Sequence, residues 1–266
     1  MTRWKAIGGG LLAGAAIGAG AVALAGSGSE SPGGAEASRA GADLPAAPRP
    51  ALAIPKPEGL AREADLTRWA PLRRATAARA MPSRSGRVLA RLAVRTPEGT
   101  AHPLPVLGRR ADERGRLWLR VALPVLPNGT HGWVPRRAVG GYELVRHRLV
   151  VDLDELELTL LERGKPVLSA PVGIGEGRWP TPRGRFIVRN RLERYESPQY
   201  GPVAFGTSAR SATLTDWPAG GFVGIHGTDQ PEILPGKVSH GCIRLRNADI
   251  LRLARLMPVG TPVLVR

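Results

Sequence analysis

Apolar positions along most of this chain recur at the short spacing of strands rather than the 3.6-residue spacing of helices. Between residues 66 and 145 the β-prone pieces are brief: Val88-Leu89-Ala90-Arg91-Leu92, Pro105-Val106-Leu107, Leu117-Trp118-Leu119-Arg120-Val121 and Gly132-Trp133-Val134. Pro97-Glu98-Gly99 and Pro127-Asn128-Gly129 are turn signals between them. Short strands punctuated in this way predict a small barrel. Beyond residue 145, the stretches 149–153 and 156–161 alternate partly, as strands do. Glu162-Arg163-Gly164-Lys165 is a turn leading into a strand over 166–173, and 184–188, 222–226 and 262–265 are further strands. One segment switches to helical spacing. Ile250, Leu251, Leu253, Ala254 and Met257 form its apolar face, Asn247 is the expected cap, and Pro258 and Gly260 end it. The pattern therefore predicts a mainly β chain of two modules, 66–145 and 146–266, with one clear helix.

The first 65 residues read differently. Arg3 and Lys5 precede an uncharged stretch from Ala6 to Ala25, and Ala23-Leu24-Ala25 is a small-x-small site before Gly26. Residues 1–26 are thus a secretory signal peptide or, since the stretch is nearly long enough for ~30 Å of hydrocarbon, a membrane anchor. Either form places the rest of the chain outside the cytoplasm, in the cell envelope. Residues 27–65 hold Gly, Ser, Ala and Pro with few large apolar groups, and are expected to be a flexible linker.

Lysine plus arginine exceed aspartate plus glutamate by 38 to 22, a formal charge of +16. Such a balance suits anionic envelope polymers. The arginines are scattered, and neither zinc-finger spacing nor an aromatic-plus-basic RNA motif is present, so nucleic acid is not an expected partner. There is no internal repeat, P-loop or dinucleotide fingerprint.

Cys242 is the only cysteine, which excludes a disulfide within the chain. An exported lone thiol is inert, bridges two molecules, or is a nucleophile, and its neighbours decide. They are Ser239-His240-Gly241-Cys242-Ile243-Arg244. A nucleophilic cysteine needs a base or cation to lower its pKa and backbone donors for the oxyanion it creates. Glycine at 241 permits unusual torsions and close approach. Arg244, two residues on, would share the cysteine's side of a strand. Upstream, Val223-Gly224-Ile225-His226 delivers a histidine into a glycine turn. A zinc site of His226, His240 and Cys242 would lack the close-spaced ligand pairs that metal sites favour. His102, His131 and His147 receive no functional role.

His226-Gly227-Thr228 followed by Ser239-His240-Gly241-Cys242 and Arg244 resembles the YkuD-type L,D-transpeptidase signature. Pro171-Val172-Gly173-Ile174-Gly175 and then Trp179-Pro180-Thr181-Pro182-Arg183-Gly184-Arg185-Phe186 are similar to another run of that family. The resemblance covers roughly 147–266. It implies a β-sandwich for this module, Cys242 as nucleophile, and His226 as general base oriented by a backbone carbonyl of the following turn. His240 would support the site, and backbone N–H groups near Gly241 and Cys242 would form the oxyanion hole. Arg244, Ser239, Gly227 and Tyr200 are implied substrate-binding residues. The implied substrates are peptidoglycan stem peptides. The thiolate and its base do the chemistry, so neither metal nor organic cofactor is implied. Upstream, Leu-Trp-Leu-Arg-Val and Gly-Trp-Val-Pro resemble bacterial SH3-like modules over about 86–139, with Trp118 and Trp133 read as core aromatics. Three functions stay open: an L,D-transpeptidase, an L,D-carboxypeptidase in which water replaces the acceptor amine, and a non-catalytic wall-binding protein. All motif residues lie after Arg146, so the second module is expected to carry the chemistry alone.

Overall fold

The computed structural model describes residues 66–193, 197–214 and 221–266. The signal or anchor and the linker expected over 1–65 lie outside the described residues. Among the described residues no helix is long and apolar enough to cross a membrane.

Seven strands come first: β1 (Thr67–Pro71), β2 (Thr76–Arg79), β3 (Val88–Leu92), β4 (Pro103–Ala111), β5 (Leu117–Ala122), β6 (His131–Pro135) and β7 (Glu143–Val145). They form one sheet in the order β3-β2-β6-β5-β4-β1-β7. Its core gathers Leu72, Leu104, Leu119, Val121 and Val134, all essentially inaccessible to solvent. Trp118 is buried as expected and its Nε1 donates to Asp112 Oδ2 at 3.0 Å. Trp133 is only half-buried, because β6 turns it to the opposite face from Val134.

Ten strands follow: β8 (His147–Asp152), β9 (Glu157–Glu162), β10 (Lys165–Pro171), β11 (Gly173–Gly175), β12 (Gly184–Glu193), β13 (Val203–Arg210), β14 (Phe222–His226), β15 (Gly236–Ser239), β16 (Ile243–Arg244) and β17 (Pro262–Val265). Their order is β10-β9-β8-β17-β12-β13-β14-β16-β11-β15. One apolar cluster joins Leu158 and Leu168 at one end of this sheet to Phe205, Ile225 and Ile243 near the other. A sheet whose distant strands share a core must curl over on itself, and this one forms the expected β-sandwich.

The helix α1 (Asn247–Leu256) adds Ile250, Leu253 and Ala254 to the same cluster. Its cap differs from the expectation. Asn247 is the first helical residue, Arg246 stands at the cap with no side-chain bond, and Asn247 Oδ1 instead accepts from the Thr228 backbone N–H at 3.1 Å. The amide thus ties α1 to the segment after β14.

Candidate active site

β14 and β16 run parallel, with Ile225 opposite Ile243 and His226 opposite Arg244. Alternation along each strand sends Ile225 and Ile243 into the core. It sends His226, Arg244, and the residues two before each of them, Gly224 and Cys242, to the opposite face. The Gly224 N–H donates to Cys242 Sγ at 3.4 Å. A Cβ on Gly224 would lie 3.7 Å from His226 Cδ2 and 3.8 Å from Cys242 Sγ. The missing side chain therefore leaves room for about one methyl group between thiol and imidazole.

His226 is held from two sides. Its Nδ1 lies 2.6 Å from the Gly227 carbonyl oxygen, which can only accept, so Nδ1 carries the proton and Nε2 keeps a lone pair. Tyr200 packs edge-on against the imidazole, ring centroids 4.7 Å apart. Burial pushes His226 down to about 4, opposed by the Gly227 carbonyl and helped by the Arg244 cation. Burial pushes the Cys242 thiol up, while the Gly224 N–H and Arg244 work against that rise. The resting pair is a neutral thiol and a neutral base. Arg244 Nε is buried and has no hydrogen-bond partner among the described residues. Burial also raises the Tyr200 phenol, with Cys242 adding to the rise and Arg244 opposing it.

The loop bearing Cys242 is fixed by its neighbours. Gly241 adopts φ +110, a torsion that L side chains rarely take. Ser239 is buried; its hydroxyl donates to the Cys242 carbonyl at 2.6 Å and accepts from the Gly241 N–H at 3.1 Å. Thr181 Oγ1 donates to the Gly241 carbonyl at 3.0 Å and accepts from the Gly175 N–H at 2.9 Å. A Cβ on Gly175 would meet the Trp179 carbonyl oxygen at 2.2 Å, so only glycine lets the 179–181 segment lie this close. His240 is exposed and packs against Trp179 with 4.0 Å between centroids and the rings tilted by 46°. With Phe222, Leu214 and Cys242 it lines a small cavity of about 30 Å³. A larger cavity of about 520 Å³, around Trp69, Leu144, His147 and Pro258, does not include Cys242 in its lining. Chemistry, not volume, singles out the smaller one.

Residues 146–265 match the family described as the L,D-transpeptidase catalytic domain. Residues 146–265 belong to that family. Over 121 residues the chain is 35% identical to a putative L,D-transpeptidase YkuD of Bacillus licheniformis, covering 46% of this chain and 66% of the relative. Over 120 residues it is 46% identical to the putative L,D-transpeptidase YqjB of Bacillus subtilis, covering 42% of this chain and 65% of that one. Among solved structures, a mutant Enterococcus faecium L,D-transpeptidase is 30% identical with a TM-score of 0.37, over 45% of this chain and 49% of that chain. The chain thus spans less than two thirds of each relative's length.

Within the transpeptidase domain, the structure brings Cys242, His226, Arg244, Gly241 and Tyr200 together, with His240 at the rim. Three expectations change. Gly227, taken for a substrate contact, is buried: a Cβ there would meet Asn247 Oδ1 at 2.2 Å and Gly201 Cα at 3.0 Å. Its glycine identity serves packing, and its carbonyl serves His226. Ser239, likewise expected to touch substrate, has its hydroxyl engaged by the loop's own backbone. The Gly241 N–H, expected in the oxyanion hole, is already bonded to that hydroxyl. Sequence reasoning passed over Gly224, Thr181 and Asn247 as determinants of the site. For Thr181 and Gly175 a signal existed, since both stand in the run similar to the family's.

Proposed function

We propose that this chain is an exported cysteine transpeptidase that takes an acyl group from a peptidoglycan stem tetrapeptide onto Cys242 and passes it to an amine acceptor, another stem or a wall protein. The observation that carries this reading is the strand face on which His226, its Nε2 left with a lone pair, and the Cys242 thiol flank Gly224. His226 takes the thiol proton as sulfur attacks the carbonyl of the stem's third residue. The Sγ–C bond forms, the amide C–N bond breaks, and the proton leaves with the terminal D-alanine amine. The acceptor amine then gives His226 a proton as it attacks the thioester carbonyl; the new C–N bond forms, the Sγ–C bond breaks, and Cys242 Sγ takes the proton back from His226. Arg244 stabilises the thiolate as it develops, since its charge already favours that form. With the Gly241 N–H held by Ser239, the oxyanion donor in this reading is the Cys242 N–H. Export rests on the pattern of residues 1–26, and the scattered cations with the SH3-like module would favour the anionic wall.

Mass spectrometry tests the reading directly. Incubation with a stem tetrapeptide should give a thioester on Cys242 and free D-alanine, and an added amine should convert it to a cross-linked product. Cys242→Ala should give neither, with an unchanged circular-dichroism spectrum. Trimmed tripeptide as sole product, with acceptor present, would instead mark a carboxypeptidase. No adduct on Cys242 at all would overturn the cysteine mechanism.

A further inference from the structure

Among the described residues, polar side chains of the first module bond to the second at the 96–98 turn and at Asn128, and the contacts from both places lead to β14. The first is the turn at Glu98. Glu98 Oε1 accepts from Arg189 Nη2 at 2.7 Å and Oε2 accepts from Asn190 Nδ2 at 2.9 Å. Arg189 is 1% exposed, a depth at which a guanidinium requires a charged partner. It is the extra residue where the β12–β13 register shifts between Val188 and Asn190, and such bulges re-aim a side chain. β13 is built to accept the arrangement. The Gly206 N–H donates to Asn190 Oδ1 at 2.9 Å, and a Cβ on Gly206 would lie 2.3 Å from that oxygen.

From Arg189 the contacts run to the catalytic strand. Its guanidinium sits 3.7 Å from the centroid of the Phe222 ring, and its Nε donates to the Thr207 carbonyl at 2.9 Å. The Thr207 hydroxyl donates to the Val223 carbonyl at 2.7 Å. Phe222 and Val223 open β14 immediately before Gly224, and both line the cavity at Cys242. The second point of entry is Asn128. Its Nδ2 donates to the Arg210 carbonyl at 2.8 Å and its Oδ1 accepts from the Arg210 N–H at 3.0 Å. The Arg210 guanidinium lies 4.7 Å from the same Phe222 ring. Phe222 is therefore contacted by two arginines, each bonded to the first module.

We propose that Glu98, assisted by Asn128, is a positioning residue for the acyl transfer: through Arg189 and Phe222 it sets the start of β14, so the first module completes the active site instead of merely accompanying it. This replaces the expectation that the second module carries the chemistry alone, and it rests on the proposed transpeptidase function. An ion pair that only stabilised the fold would change melting temperature and leave the reactivity of folded protein untouched.

The test compares full-length Glu98→Gln, Glu98→Asp and Asn128→Ala with a control, Leu104→Ala, which opens a cavity in the first module's core. All are assayed well below their melting temperatures. Two readouts are used: stem-peptide turnover and the rate of Cys242 alkylation by iodoacetamide. Misplacement by about 1 Å can cost on the order of 10²-fold. Glu98→Gln should lower kcat roughly 10- to 100-fold with KM nearly unchanged and alter the alkylation rate several-fold, both effects being smaller in Glu98→Asp. Leu104→Ala should melt lower yet keep both rates. Folded Glu98→Gln with wild-type kcat and alkylation rate would overturn the proposal, as would equal losses in Leu104→Ala. If Glu98→Gln does not fold, Asn128→Ala decides in the same direction. If wild-type protein turns over no stem peptide, the proposed function fails, while the alkylation comparison still decides the role of Glu98.

Discussion

Each of the two modules holds a buried histidine, and the two meet different surroundings. His102 precedes β4 and His226 ends β14. Both place Nδ1 against a backbone carbonyl, Ala93 at 2.9 Å and Gly227 at 2.6 Å. Burial lowers the pKa of both. Their second nitrogens meet different surroundings. His102 Nε2 is buried and has no hydrogen-bond partner among the described residues. His226 shares a strand face with a thiol, a cation and the gap at Gly224. A desolvated, carbonyl-bonded, neutral imidazole is thus common to a packing residue and a candidate base. What separates them is the parallel register that puts Cys242 on the neighbouring strand.

Replacing each histidine in turn sharpens this contrast most. His226→Ala should lower stem-peptide turnover by ~10²–10⁴-fold, the range of a general base. His102→Ala should cost far less, since its ring lies beside Glu98 and Arg189 and not beside the thiol, while lowering the melting temperature. Parallel kinetics and thermal melts on the two variants check this. Comparable activity losses at equal fold content would mean that burial, not the thiol, defines the functional histidine.

Filling the gap at Gly224 is the next largest expected effect. The nearest atoms to an added Cβ are the Phe205 carbonyl oxygen at 3.6 Å, His226 Cδ2 at 3.7 Å and Cys242 Sγ at 3.8 Å, all ordinary contacts. Gly224→Ala should therefore fold and melt nearly as wild type. Its methyl would occupy the space through which a substrate carbonyl and the proton must pass. Single-turnover acylation followed by mass spectrometry should slow roughly 10- to 100-fold, by displacement from reacting geometry. Acylation at the wild-type rate would show that the face between thiol and imidazole is not the reaction path.

What the sequence disclosed and what it hid follow from the kind of information each residue carries. Strands with large alternating residues were legible, as in 149–153, 222–226 and 262–265. β13 was not, because Gly206, Thr207 and Ser208 interrupt its apolar rhythm, and the two-residue β16 was legible only through the expectation that Arg244 shares a strand side with Cys242. Cys242, His226 and Gly241 were legible because motif spacing binds their chemistry together. Gly227 and Ser239 were legible as residues of the site but misread in role, since residue type does not say which way a group points. Asn247 was read as a cap because its local pattern fits one, whereas a segment 19 residues away takes its oxygen. Glu98 reads as a turn residue, and only the folded chain brings it to Arg189, 91 positions on.

The smallest expected effect lies in pH dependence, and it follows from the His226 pKa near 4. The base must be unprotonated in the free enzyme, so the acid limb of kcat/KM should fall near that value and not near the ordinary 6.5 of histidine. At pH 5.5 a group titrating near 4 is still almost wholly neutral, and kcat/KM should differ little from its value at pH 7; a group titrating near 6.5 would have lost about tenfold. Stability has to be followed alongside. A histidine whose folded value lies below its unfolded one contributes fully above about pH 6.5, and its contribution is lost as pH falls toward about 4, because the unfolded chain takes the proton first. At 1.36 kcal/mol per unit that loss approaches roughly 3 kcal/mol. Thermal melts across the same pH range separate unfolding from titration, and His226→Gln should flatten the acid dependence of the melting temperature. An acid limb near 6.5 in protein that is still folded would mean that the imidazole is solvated in the working enzyme, and that the shielding provided by Tyr200 and the Gly227 turn opens before the thiol reacts.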